Sequence, residues 1–111
     1  MTNNPESKYT PAIDTTPRYV EQVKLTKPID FEGKKIVELE LKMGDLSGHD
    51  LLKAEREFAT TGNYSPVAVT SQEYLAIVAG HAAGLPTDAI KSLGAHDFAH
   101  VTTLVQNFLL G

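Results

Sequence analysis

The chain has 111 residues, a formal net charge of −4 and no cysteine. A chain of this length ordinarily folds as one domain with a small core, which leaves little room for an enclosed active site. The basic residues are dispersed, whereas a nucleic-acid binder concentrates them in a stripe, so we expect no nucleic-acid partner. The absence of cysteine excludes disulfides, thiolate nucleophiles and cysteine-based zinc sites.

No segment predicts membrane insertion or secretion. The first residues, MTNNP, lack the basic and apolar regions of a signal peptide. The best apolar run, Tyr74 to Ala79, falls far short of the roughly 20 residues that a membrane helix needs. We therefore expect a soluble intracellular protein without membrane contact.

The first part of the chain differs in composition from the rest. Residues 1–18 are rich in Thr, Asn and Ser, contain three prolines and show neither helical nor strand periodicity. This predicts a flexible N-terminal arm, followed by a single domain at residues 19–111. The alternative is an arm that becomes ordered on a partner, with Tyr9 and Ile13 as its anchors.

A period-two pattern follows the arm and predicts a β-hairpin at about residues 20–41. Gly33 supplies the flexible residue that the chain reversal needs. Pro28 has no N–H for the ladder, so it marks a strand end or an edge. The apolar residues assigned to the inner face are Val23, Leu25, Val37, Leu39 and Leu41.

The remainder of the chain has helical periodicity and recognisable helix ends. Ser47 with Asp50, and Thr70 with Glu73, have the spacing of N-terminal caps. The sequence GLP at 84–86 is typical of a helix stop. The fold class is therefore α+β, an N-terminal β-hairpin followed by a small bundle of three to four α-helices. The predicted helices cover residues 48–60, 71–83, 88–93 and 95–110.

Candidate chemistry is sparse. His96 and His100 are four residues apart on one helical face, a spacing that can present two imidazoles to a metal ion. The H-E-x-x-H arrangement is absent, and surface histidines are the commoner case. Asp97 is explained by the favourable dipole at a helix start. We expect no catalytic residue, no metal site and no cofactor, and hence a binding protein rather than an enzyme.

Apolar residues recur every three or four positions in the last predicted helix, from Phe98 to Leu109. Such a stripe is more often core than a partner groove. Because the helices are short and the core is small, the stretch 104–110 is also a candidate strip for another helix.

Several short motifs, in a particular order, resemble one protein family. In chain order they are VKL at 23–25, KPI at 27–29, Gly33, IVEL at 36–39, DL at 50–51, AIVA at 76–79, GLP at 84–86, Asp97 and NFL at 107–109. Their order and spacing over about residues 20–110 are similar to those of the phage tail assembly chaperones of the E/41/14 type. The arm before Tyr19 is not part of this pattern.

The resemblance implies a protein of the host cytoplasm that catalyses no reaction. It binds the long, helical, apolar tape-measure protein before the tail tube polymerises around it. The tail tube protein is a further candidate partner, and self-association stays open. On this basis we expect the partner to contact Phe58, Tyr74, Leu104, Phe108 and Leu109.

Two other hypotheses remain. The chain is alternatively a small structural or adaptor protein that stays in the phage particle. The second alternative is a metal-dependent enzyme that uses His96 and His100.

Overall fold

A computed structural model describes residues 19–62, 65 and 67–111, so the proposed arm at 1–18 lies outside the described residues. The described part is an antiparallel hairpin followed by helices, which confirms the α+β fold class. The bounds are β1 (Val20–Phe31), β2 (Lys34–Lys42), α1 (Gly48–Thr60), α2 (Gln72–Ala83), α3 (Thr87–Lys91) and α4 (Ala95–Leu110), with short 3-10 turns at Met43–Asp45 and Ala68–Thr70.

The hairpin contains a large bulge. Near its base Val23 lies opposite Leu39, whereas near its tip Ile29 lies opposite Ile36. Residues 25–28 of β1 therefore face a single residue of β2. Extra residues in one strand turn their backbone groups out of the ladder and increase the local twist.

Two details of the predicted hairpin change because of this bulge. Pro28 lies in the bulge, where its missing N–H removes no ladder bond, and β1 continues past it to Phe31. Val37, which alternation assigns to the inner face, is 56% exposed. The register shifts by an odd number of residues, so Ile36 rather than Val37 pairs with buried Ile29.

Asp97, in the first turn of α4, binds the bulge. Its two carboxylate oxygens each accept the backbone N–H of Thr26 at 3.0 Å, and one of them accepts the N–H of Lys27 at 3.1 Å. The Thr26 hydroxyl also donates to it, at 3.1 Å. Asp97 is 1% exposed. It therefore accepts hydrogen bonds from the backbone N–H groups that the bulge removes from the ladder. Its position at the start of α4 is also favoured by the helix dipole.

α2 is the central helix of the core, and eight of its twelve residues are buried. Gly84 ends it in the left-handed conformation, with φ of 70°, which confirms the helix stop predicted at GLP. The chain then folds back closely, because the N–H of Leu85 donates to the carbonyl of Gly80 at 2.9 Å. A Cβ atom on Gly80 would lie 2.7 Å from the Leu85 carbonyl oxygen.

The two predicted helix caps have different outcomes. Ser47 and Asp50 form a reciprocal capping box at the start of α1, as predicted. The prediction of a capping box between Thr70 and Glu73 is wrong. The 3-10 turn before α2 contains Thr70, whose hydroxyl donates to the Val67 carbonyl at 2.6 Å, and Ser71 becomes the N-cap. Glu73 pairs instead with Lys91 of α3.

Replacing Asp97 with asparagine should destabilise the fold in a pH-dependent way. Hydrogen bonds from the Thr26 backbone are the largest cause that lowers the pKa of Asp97 below its ordinary value of 3.8. A depressed pKa means that the carboxylate stabilises the fold above that ordinary value, and that this contribution disappears as the pH falls through the folded-state value. Asp97→Asn should therefore have a lower thermal midpoint at pH 7, and the difference from the wild type should narrow below about pH 4.

Thermal unfolding followed by circular dichroism between pH 2.5 and 7 measures this difference. Asp88→Asn is the matched control, because Asp88 is an exposed carboxylate in the first turn of α3. A constant difference across the pH range for Asp97→Asn would contradict the role of its charge.

Replacing Gly80 with alanine should destabilise the protein by about 1–3 kcal/mol, because the added methyl group collides with the Leu85 carbonyl oxygen. The matched control is Gly48→Ala in α1, where an added Cβ has no neighbour within 4 Å. The control should be neutral or stabilising by up to about 1 kcal/mol. Urea unfolding measures both, and equal effects would contradict the close approach of the loop.

Candidate partner-binding groove

A groove of about 430 Å³ lies between the beginning of β1 and the end of α4. One wall comes from the hairpin and the other from the last helix, and the 3-10 turn after β2 contributes to the floor. Most of the large side chains in it are apolar. The lining residues are Tyr19, Glu21, Met43, Leu104, Asn107, Phe108 and Gly111.

The two walls meet through an aromatic contact. The Tyr19 and Phe108 rings pack edge to face, with centroids 5.4 Å apart. The Tyr19 backbone is held in place because its carbonyl accepts the N–H of Gly44 at 3.0 Å. Its side chain remains 52% exposed. The contact therefore leaves aromatic surface available at the mouth of the groove.

The packing of α4 determines which of its residues reach the groove. Val101 and Val105, four residues apart, are fully buried against the rest of the core. Leu104 and Phe108, also four residues apart, are partly buried at the edge of this contact. The inner face of α4 thus anchors the helix, while the neighbouring face forms the groove wall.

The residues predicted to contact a partner fall into two groups. Leu104 and Phe108 lie together in the groove, and Leu109 is partly buried close by on α4 without lining it. Phe58 and Tyr74 are only 5% and 7% exposed, and their rings pack edge to face between α1 and α2. The structure therefore places these two in the core, away from the groove, and partner contact by any of the five stays a prediction.

Sequence reasoning missed the hairpin side of the groove. This side consists of Tyr19 and Glu21, which alternate with Val20 and Gln22 at the start of β1, and of Met43, which follows β2. An aromatic residue at the exposed beginning of a strand was the available signal. Periodicity along one element does not reveal which distant element lies beside it.

The two histidines of α4 are both exposed. Neither lines the groove. Within the described ranges, no group of three or more His, Asp or Glu residues is arranged to hold a metal ion. Likewise, no helix in the described part of the chain has the length and apolar character needed to cross a membrane.

A family model for phage tail assembly chaperone proteins, E, or 41 or 14, matches residues 22–110. The chain belongs to this family. A search of curated proteins and a search of solved structures each found no match. Membership gives this tail assembly chaperone a role in the assembly of phage tails and indicates a non-enzymatic function. Of the groove residues, those on α4 lie inside the matched region, whereas Tyr19 and Glu21 precede it.

Alanine substitutions should separate core from groove in the tail assembly chaperone. Phe58→Ala removes a buried ring and should lower the free energy of unfolding by about 3–5 kcal/mol. Phe108→Ala removes a partly exposed ring and should lower it by about 1–2 kcal/mol. Urea unfolding of the two variants gives the comparison. An equal loss would mean that Phe108 is as much a core residue as Phe58.

Proposed function

We propose that this tail assembly chaperone binds the tape-measure protein of its phage in the host cytoplasm and keeps it soluble until the tail tube forms around it. Membership of the chaperone family supports a partner among the tail proteins. The groove between β1 and α4, with the apolar side chains that it presents, is the observation that carries the proposal, because a helical partner with an apolar face needs such a surface.

The size of the groove is compatible with a helical segment as the occupant. A helix with its side chains is about 10–12 Å across and rises about 5.4 Å per turn. The groove, at about 430 Å³, has room for the side chains on one face of such a helix. It takes the apolar side chains from one face of a helix and leaves the other face in solvent.

The composition of the groove also suits a chaperone. Tyr19 and Phe108 supply aromatic surface, which gives large contact area at small cost in side-chain entropy. Met43 is buried beneath the groove, and its flexible side chain lets the floor adjust to the residues above it. The net charge of −4 helps to keep a complex with an apolar partner in solution.

A structural or adaptor protein of the particle also needs an exposed binding surface, so the groove alone does not separate the two hypotheses. They differ in whether the chain remains in the finished particle. A chaperone leaves before the particle is complete. Mass spectrometry of purified virions separates the hypotheses, since stoichiometric amounts of this chain in the particle would favour the structural role.

Aspartate in the groove should abolish the solubilising effect. In co-expression with the tape-measure protein, wild-type chaperone should increase the soluble fraction of that protein and co-purify with it. Phe108→Asp places a charge on the apolar wall and should remove both effects. Soluble tape-measure protein is quantified after centrifugation and affinity capture.

The control for this experiment is Leu52→Asp. Leu52 is a 54% exposed apolar residue on α1, and it does not line the groove. It should behave as the wild type. If wild-type chaperone leaves the tape-measure protein insoluble and unbound, the proposed function is wrong. If both aspartate variants remain active, the binding surface lies elsewhere.

A further inference from the structure

We propose that the groove selects helices that carry a lysine or arginine beside their apolar face, and that Glu21 is the residue that pairs with this cation. The inference rests on the proposed function and defines the chemistry of the segment that is bound. Three features support it: the position of Glu21, its lack of a partner, and the polarity of α4.

Glu21 lies at the border between the apolar groove and solvent. In a strand alternate residues share a face, so Glu21 is on the same face as Tyr19 and buried Val23. It lines the groove, and it is the one formally charged side chain among the lining residues. A partner that covers Tyr19 and Phe108 therefore also approaches the Glu21 carboxylate.

The Glu21 carboxylate is free to bind an incoming cation. Among the described residues, no hydrogen bond or ion pair engages it. Its neighbours on the other face of the hairpin are satisfied differently. Glu40 accepts a hydrogen bond from Gln22 at 2.8 Å and lies 3.7 Å from the Lys42 ammonium. Glu21 thus differs from Glu40 in that its carboxylate is unpaired and lines the groove.

The end of α4 gives the groove the same sign of potential. A helix C-terminus carries partial negative charge on its unsatisfied carbonyl groups. The last turn of α4 contains no basic residue to neutralise it. Asn107 and Phe108, both in the groove, belong to this turn. Both walls of the groove therefore favour a positively charged group.

Desolvation turns this potential into selectivity. An apolar helix that covers Glu21 removes water from the carboxylate and provides no replacement, which opposes binding. A lysine or arginine at the edge of the bound face replaces the lost water with a charge-assisted hydrogen bond. The groove therefore discriminates among helices that have equally apolar faces.

The test uses overlapping peptides of the tape-measure protein from the same phage. Each peptide is titrated with the full-length chaperone, and binding is followed by fluorescence anisotropy. The variants are Glu21→Gln, which keeps the shape of the side chain, and Glu21→Lys, which reverses its charge. The control is Glu55→Lys, at an exposed position of α1 outside the groove. It changes the net charge by the same amount as Glu21→Lys.

Peptides that bind the wild type should contain a basic residue beside an apolar helical stripe. Glu21→Gln should weaken their binding roughly tenfold and Glu21→Lys more strongly, while Glu55→Lys changes it little. Replacing the basic residue of the tightest peptide with glutamate should weaken binding to the wild type and restore binding to Glu21→Lys. Added salt should reduce the preference.

The possible failures are distinguishable. Peptides that bind both Glu21 variants as tightly as the wild type would overturn the inference and leave the proposed function intact. The same conclusion would follow if the bound peptides shared an apolar stripe without a basic residue. If no peptide binds the wild type, and the intact tape-measure protein does not co-purify with it, both the inference and the proposed function fail.

Discussion

The Asp97 carboxylate connects the hairpin to the last helix across 71 residues of sequence, and the arrangement of the proposed binding surface depends on that connection. The bulge in β1 leaves the backbone N–H groups of Thr26 and Lys27 outside the ladder, and the buried Asp97 carboxylate accepts hydrogen bonds from both. A carboxylate at the start of α4 satisfies them from a position that the helix dipole also favours. Without this acceptor, the Thr26 and Lys27 amides would lose these hydrogen bonds, and α4 would lose one of the contacts that hold it against β1.

The position of the groove depends on where the contact between Asp97 and the bulge holds α4. The helix rises about 1.5 Å per residue, so Phe108 lies about 16 Å beyond Asp97 along the axis. At that distance its ring meets Tyr19, just before β1. α4 thus contacts the hairpin near both ends of the helix. At its start the Asp97 carboxylate binds the bulge, and near its end the Phe108 ring packs against Tyr19. The space between the walls at the second contact is the groove, with buried Met43 beneath it.

The parts of this structure that depend on neighbouring residues could be predicted from the sequence, and the parts that depend on distant residues could not. The hairpin, the bounds of α1 and the glycine stop at Gly84 follow from local periodicity and capping. The bulge contains no glycine, and the residue that binds it, Asp97, is far away in the sequence. For the same reason, the sequence did not reveal that Phe58 packs on Tyr74. It also did not reveal that Tyr19 packs on Phe108.

Hydrogen–deuterium exchange of the chaperone, free and bound to the tape-measure protein, tests the central claim most directly. Binding should slow amide exchange at residues 19–23 and 104–110, which surround the groove, and leave the exposed face of α1 unchanged. Slower exchange confined to α1 or to the hairpin tip, with no change around the groove, would contradict the account.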